Sequence, residues 1–139
     1  MAIFAPPLPA SDLQSKLIAP DVVITYFRGH ITNELAMKQL PYFRSVLQGS
    51  NAATWIMELT AMTGFDPSAM TAGARWWHAF KDAKGEQILL VSTQSAARMA
   101  AASLSFSIGL SVKSFTSLEP ALAYAGIRPV RGARNRVSS

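Results

Sequence analysis

Cysteine is absent from this chain of 139 residues, and histidine and acidic residues are scarce, at two and eight. The lack of cysteine excludes disulfide scaffolds, thiol catalysis, iron–sulfur clusters and cysteine-based zinc sites, and it fits a reducing compartment. The two histidines, His30 and His78, lie far apart, and neither has a second histidine or a carboxylate at the spacing of a metal site. No glycine pattern resembles a phosphate-binding loop or a dinucleotide-binding turn. We therefore expect no metal, no cofactor and no enzymatic activity.

Long apolar runs are lacking as well. Residues 99–112 form the longest weakly polar stretch, but four serines and a glycine interrupt it. It is shorter than the roughly 20 apolar residues that cross a bilayer. The first nine residues contain three prolines and neither lysine nor arginine, so they do not predict a signal peptide. Since half of the residues are hydrophobic, the sequence predicts a single cytoplasmic domain without a membrane span.

The positive charge is concentrated at one end of the chain. The formal net charge is +5, but four of the thirteen basic residues lie in the last twelve positions, which contain no acidic residue. We expect residues 128–139 to form a basic, flexible tail. Contact of this tail with nucleic acid or an anionic membrane is an alternative, but no aromatic residue is interleaved for base stacking. The near-neutral remainder argues against a nucleic-acid-binding face.

Strands and helices alternate along the middle of the chain. Runs of β-branched, aromatic and aliphatic residues predict four strands, over 21–27, 54–59, 87–91 and 112–115. Capping residues followed by apolar residues at helical spacing predict four helices, which begin near Thr32, Asp66, Ser92 and Ser117. Strict alternation is typical of a mostly parallel sheet packed by helices. The predicted fold is therefore α/β, with a mixed, mostly parallel sheet of four to five strands and about four helices in residues 16–127.

Several local details carry further expectations. The first strand either ends at Phe27 or continues past a bulge at Gly29. Pro41 lies inside the first helical pattern, and its missing N–H predicts a kink or a break in that helix. Residues 60–65 are predicted to form a loop. Residues 1–15 are expected to be an arm that lies on the surface or adds an edge strand.

The second and third helices carry apolar side chains that admit two interpretations. Trp76 and Trp77 point about 100° apart on a helix, so one of them is expected to face outward, and Trp76 is the candidate contact for a partner. The predicted inner stripe of the third helix consists of Ala96, Met99, Ala100, Ser103 and Leu104. Core packing explains most of the apolar side chains that follow. A pocket or an oligomer face is the other interpretation of Met99, Leu104, Phe106, Ile108 and Leu110.

The segment 58–70 contains the clearest candidate site. A strand ends, a loop follows, and Asp66 and Pro67 begin a helix with Ser68 in its first turn. A helix N-terminus stabilises a phosphate by ~0.3–1 kcal/mol. Ser68 is therefore either a phosphorylation switch or a plain polar residue of the first turn. Glu58 and Asp66 could approach each other across the loop to hold a metal, but third and fourth ligands are not evident, and the sequence favours capping and strand-end solvation as their roles.

This stretch resembles the signature of STAS domains, the family of sulfate transporter and anti-sigma factor antagonist domains. In that family a strand that ends in an acid and a leucine leads through a loop to Asp-Ser-Ser-Gly-Leu at a helix start. Residues 58–60 resemble the strand end and residues 66–70 the motif, with Pro67 in place of the first serine and Ala69 in place of the glycine. The order of elements over 21–126 also resembles that of the family.

The resemblance implies a non-enzymatic signalling module for transcription regulation, in which Ser68 is phosphorylated by an anti-sigma factor that acts as a serine kinase. The candidate contacts to such a partner are Glu58, Thr63, Asp66, Ala69, Met70 and Trp76. The alternative is a domain of the same fold that binds a small anion, a nucleotide or a lipid. A homodimer is left open.

Overall fold

The computed structural model describes residues 11–127. Over this range the predicted α/β class is confirmed, with a five-stranded sheet and four helices. In chain order the elements are β1 (Asp12–Ala19), β2 (Val22–Ile31), α1 (Asn33–Gln48), β3 (Thr54–Phe65), α2 (Ala69–Asp82), β4 (Gln87–Val91), α3 (Ser95–Ile108), β5 (Ser111–Phe115) and α4 (Leu118–Tyr124). Part of the predicted arm thus forms an edge strand, while residues 1–10 and the predicted tail over 128–139 lie outside the described residues.

The strands lie side by side in chain order. β1 is antiparallel to β2, and the pairs β2–β3, β3–β4 and β4–β5 are parallel. Parallel crossovers are almost always right-handed, and these three step in the same direction. As a result α1, α2 and α3 share one face of the sheet, and α4 packs on the other face. The central strands are buried on both sides, which explains their continuous apolar runs.

Aromatic side chains dominate the core between the sheet and the first two helices. Phe43 of α1 lies with its ring centroid 4.6 Å from both Trp55 of β3 and Trp76 of α2. Trp77 and Phe80 of α2 complete the cluster, at 6.4 Å and 5.6 Å from Trp55. Large buried rings at these separations contribute strongly to stability, so α2 is anchored firmly to the sheet and to α1.

Two of the buried indole groups have hydrogen-bond partners. The Trp55 N–H donates to Thr25 Oγ1 at 2.9 Å, and Thr25 Oγ1 also bonds to Ser15 Oγ at 2.8 Å. The Trp76 N–H donates to the carbonyl of Ala36 at 2.9 Å. An unpaired buried donor would cost free energy, so these bonds allow the indoles to remain fully inside.

The end of β3 departs from the prediction. Residues 60–65, predicted as a loop, continue the strand to Phe65. They pair with the end of β2, which continues past Gly29 to Ile31 through two register shifts. Gly29 has a φ of +73°, which suits a bulge at this point. Local residue preferences indicate a turn here, but the pairing with β2 supplies the hydrogen bonds that make it a strand.

The helix α1 is not broken at Pro41, so the expected break is wrong. The helix runs from Asn33 to Gln48, and the Thr32 side chain accepts a bond from the Leu35 N–H at 3.0 Å. Its buried residues, Ala36, Leu40, Phe43 and Leu47, lie on both sides of the proline. Their packing against the core outweighs the lost backbone bond at Pro41.

The expectation that one of the adjacent tryptophans faces outward is also wrong. Trp76 is 3 % exposed and Trp77 is 1 % exposed. α2 lies between α1 and α3, so a wide arc of its surface is covered. Trp76 packs towards α1 and Trp77 packs against the sheet. Trp76 is therefore not a surface contact for a partner.

The inner face of α3 is rotated from the predicted stripe. Ala97, Ala101 and Ile108 are buried, whereas Met99 is 70 % exposed and Phe106 is 93 % exposed. The N-cap of α3 also differs from the predicted start near Ser92. The N-cap is Gln94, and Ser92 Oγ accepts a bond from the Gln94 N–H. In an alanine-rich helix the two faces differ little in hydrophobicity, so the pattern alone could not orient it.

Candidate functional site

Ser68 is the N-cap of α2, and its side chain is exposed. Its backbone is already helical, with φ −65° and ψ −19°, and within residues 11–127 its hydroxyl makes no capping bond. A tight turn with i→i+3 bonds precedes the helix: the Ala69 N–H donates to Asp66 O at 2.9 Å and the Met70 N–H to Pro67 O at 3.2 Å. The hydroxyl is therefore not used to cap the helix, and the exposed side chain is accessible from solvent.

The sequence predicts that Asp66 caps α2. In the structure the N-cap is Ser68, and the Asp66 side chain bonds to a histidine instead. Its Oδ1 lies 2.6 Å from His30 Nε2, with exposed side-chain fractions of 43 % and 50 % for Asp66 and His30. The backbone of Asp66 is held as well, since its N–H donates to the carbonyl of Ile31 at 3.0 Å. The end of β2 is thus tied to the residue that begins the turn before Ser68. An exposed pair of this kind contributes ~0–1 kcal/mol, so its effect is chiefly positional.

Glu58 and Thr63 occupy separate positions along β3. The half-buried Glu58 accepts a bond from the Thr60 N–H at 2.9 Å, and Thr63 is exposed near the end of the strand. At ~3.3 Å per residue, the extended strand places Glu58 on the order of 20 Å from Asp66. The two carboxylates therefore do not form the metal pair considered from the sequence. Within residues 11–127 no group of three histidine or acidic side chains could hold a metal ion.

Ala69 and Met70 lie beside Ser68 but turn towards the interior. Ala69 is 8 % exposed and Met70 is half-buried, and both line a cavity beneath α2. Ala69 is therefore unavailable for direct contact with a partner, in contrast to Ser68 and Thr63. The exposed surface of the candidate site consists of Thr63, Pro67 and Ser68, with the pair formed by His30 and Asp66 beside them.

The cavity has a volume of about 100 Å³ and lies between the sheet and the helices α1, α2 and α3. Its lining is apolar and includes Trp55, Trp77, Leu90, Ala101 and Leu104. No charged or hydroxyl side chain of the described residues lines it. The cavity therefore suits an uncharged group and does not suit the anion or the nucleotide considered from the sequence.

Sequence reasoning gave no role to His30 or to most residues of the cavity. A signal for His30 was available, because the carboxyl ends of neighbouring parallel strands meet at one edge. His30 ends one such strand and Asp66 follows the next. The pair was missed because β3 was predicted to end at Leu59. Of the five residues of the third helix region considered for a pocket, Leu104 lines this cavity and Met99, Phe106, Ile108 and Leu110 do not. The other lining residues gave no signal, since they are ordinary apolar residues of the core.

Comparison with known proteins finds similarity in fold at low sequence identity. No family model matches the chain, and no curated protein matches it significantly. Within residues 11–127 no helix is long and apolar enough to cross a membrane.

Solved structures similar to the chain include the anti-sigma factor antagonist SpoIIAA in its unphosphorylated form, with a TM-score of 0.62 and 14 % identity over 82 % of this chain and 97 % of that one. The phosphorylated form of SpoIIAA, a Bacillus cell fate determinant, has a TM-score of 0.59 and 15 % identity over 81 % and 98 %. A protein of SpoIIAA-like fold from Shewanella loihica PV-4 has a TM-score of 0.64 and 14 % identity over 87 % and 98 %. The chain therefore has the SpoIIAA-like fold of STAS domains, at a great distance in sequence.

Proposed function

We propose that this chain is a non-enzymatic regulatory module that binds a protein partner around the first turn of α2 and is switched by phosphorylation of Ser68. The similarity in fold to anti-sigma factor antagonists, one of them solved in a phosphorylated form, supports a role in protein interaction. The observation that carries the proposal is the position of Ser68. Ser68 is exposed at the N-terminus of a helix, and its hydroxyl makes no capping hydrogen bond within residues 11–127.

Electrostatics favours a phosphate at this position. The first N–H groups of α2 and the helix dipole attract negative charge, worth ~0.3–1 kcal/mol at an exposed site. Asp66 lies two residues away and would repel the phosphate, but its carboxylate is engaged by His30 at 2.6 Å. The bond to His30 holds that carboxylate at the end of β2. The site therefore tolerates the modification that the switch requires.

The partner that the resemblance implies is an anti-sigma factor with serine kinase activity. The proposed contact patch consists of the exposed, uncharged residues Thr63, Pro67 and Ser68, together with the His30–Asp66 pair. A phosphate would place about two negative charges on this patch. A partner that packs closely on the uncharged surface would then have to bury those charges, which is costly. Phosphorylation is therefore expected to release the partner, and the module would act in transcription regulation.

The first test is peptide mass spectrometry of the chain isolated from its source under phosphatase inhibition. Ser117 supplies an internal control, because it is also an exposed N-cap, of α4, without a side-chain capping bond within residues 11–127. The proposal predicts a phosphate on Ser68 and none on Ser117. A Ser68 that stays unmodified in every growth condition would contradict the switch.

The second test measures binding. The partner is identified by cross-linking from position 63, and its affinity is measured for the unmodified chain and for Ser68→Asp, Ser68→Ala and Ser117→Asp. We expect Ser68→Asp to weaken binding at least tenfold and the other two variants to leave it within threefold. Equal affinity of all four proteins would refute a switch at Ser68. If binding survives Ser68→Asp but is lost on changing Thr63, the chain binds its partner constitutively and is not switched at Ser68.

A further inference from the structure

We propose that the cavity beneath α2 and α3 binds the hydrocarbon chain of a fatty acyl group. This inference goes beyond the proposed switch and does not rest on Ser68. It rests on the size of the cavity, the chemistry of its lining and the small side chains at its opening.

The lining disfavours water and charged groups, and the volume limits how much of a hydrocarbon chain can enter, since a cavity of roughly 150 Å³ holds one benzene. A volume of about 100 Å³ exceeds the ~10–15 Å³ of probe-occupied volume that one water molecule needs. Water is nevertheless disfavoured there, because ordered water needs two to four polar partners. The indole N–H groups of Trp55 and Trp76 are already bonded to protein oxygens. A charged ligand group would lose its hydration without compensation, so a hydrocarbon group is the occupant that fits.

The opening lies between α2 and α3. Met70, Gly73, Ala100 and Leu104 line the cavity and are half-exposed, so they connect it to the surface. A Cβ added at Gly73 would lie 3.9 Å from the Leu104 side chain, which is ordinary van der Waals contact, so Leu104 borders the surface of Gly73. Gly73 and Ala100 are small residues on neighbouring helices, so an unbranched chain would enter here by displacing the Leu104 side chain and without unfolding of the core. A polar headgroup would remain outside in solvent.

The three tryptophans of the chain provide the measurement. Trp55, Trp76 and Trp77 all line the cavity, so a bromine atom carried inside would quench their fluorescence on contact. The probe is 8-bromooctanoate, titrated into the full chain. We expect saturable quenching. Quenching by vesicles of brominated phosphatidylcholine, but not by the free acid, would identify the bound acyl group as that of a membrane lipid. The reverse result would identify it as that of a free fatty acid.

Chain length gives a second criterion that needs no variant. Each methylene buried in the cavity is expected to strengthen binding roughly fourfold. Affinities in the series butanoate, hexanoate, octanoate, decanoate should therefore rise steeply and then level off when the cavity is full. An affinity that rises without a plateau indicates adsorption to the surface and overturns the proposal, as does the absence of saturable binding for every probe, free or in vesicles.

A matched pair of substitutions on α3 locates the site. Ala100 lines the cavity at its opening, whereas Ala102 is exposed on the outer face of the same helix. Ala100→Phe should weaken quenching by the bound probe at least tenfold, and Ala102→Phe should leave it within twofold. Equal effects of the two variants would overturn the proposal. If Ala100→Phe fails to fold, the chain-length series on the wild-type protein still decides the question.

Discussion

The helices α2 and α3 have the same length, 14 residues each, and cover the same face of the sheet, yet they pack in different ways. α2 buries Trp76, Trp77 and Phe80, whereas the buried residues of α3 are two alanines and Ile108. Two large apolar side chains of α3, those of Met99 and Phe106, are exposed to solvent. Large rings therefore fill one side of the core, and small side chains leave the other side open.

This difference indicates that the two helices on this face of the sheet have different structural roles. The aromatic cluster around α2 anchors the helix that begins at Ser68, so the candidate phosphorylation site lies on a tightly packed helix. The alanine-rich packing of α3 leaves the cavity and the opening that leads to it. Rigid support and an open cavity make opposite demands on packing density. Here the rings of α2 supply the support, and α2 and the small side chains of α3 together line the cavity. The predictions that follow test this contrast.

The largest effect is expected at Trp76. Trp76→Ala removes a ring stacked on Phe43 and leaves the carbonyl of Ala36 without its indole donor. We expect the free energy of unfolding to fall by ~3–5 kcal/mol. Urea denaturation followed by circular dichroism measures it. A loss below about 1 kcal/mol would mean that α2 is not the anchor described above.

The contact between the ends of the two helices should have an intermediate effect. Lys81 of α2 donates from Nζ to the carbonyl of Ile108 at 2.6 Å, at the C-terminal end of α3. Lys81→Met should lower the free energy of unfolding by ~0.5–1.5 kcal/mol, since the lysine is exposed and water replaces part of the bond. The control is Lys38→Met on the outer face of α1, for which we expect less than about 0.5 kcal/mol. Equal losses would remove any role for this contact.

A smaller effect of opposite sign is expected at the seam between the helices. Gly73→Ala should raise the free energy of unfolding by ~0.5–1 kcal/mol, because alanine favours the helix and there is room for its methyl group. The matched variant is Gly109→Ala at the end of α3, where φ is +83°. That change should destabilise the protein by ~1 kcal/mol. Thermal unfolding of both variants compares them, and a loss at Gly73 would show that the seam is already full.

The smallest effect is expected on the outer face of α3. Phe106 is 93 % exposed, so Phe106→Ser should change the free energy of unfolding by less than about 0.5 kcal/mol. The variant serves as the contrast to Trp76→Ala in the same urea denaturation series. A loss above 1 kcal/mol would show that Phe106 is covered in solution, and size-exclusion chromatography of wild type and variant would then show whether a second copy covers it.

The sequence determined the order and type of most elements. The apolar runs Val22 to Thr25 and Gln87 to Val91 form buried strands, as their composition predicts. Thr32 caps the helix that follows it, as its position predicts. The local motif around Ser68 led to the correct fold, because the same residues both begin a helix and resemble the STAS signature. These features depend on interactions within a few residues, which a sequence pattern records directly.

Three features were decided only by the tertiary structure. β3 reaches Phe65 because β2 supplies a partner there, and this extension brings Asp66 to His30. Both Trp76 and Trp77 are buried because α2 has a helix on each side. The cavity exists because small residues of α3 lie beside the rings of α2 on the same face of the sheet. Each feature arises from contacts between segments far apart in the chain, and local periodicity contains no information about which segments meet.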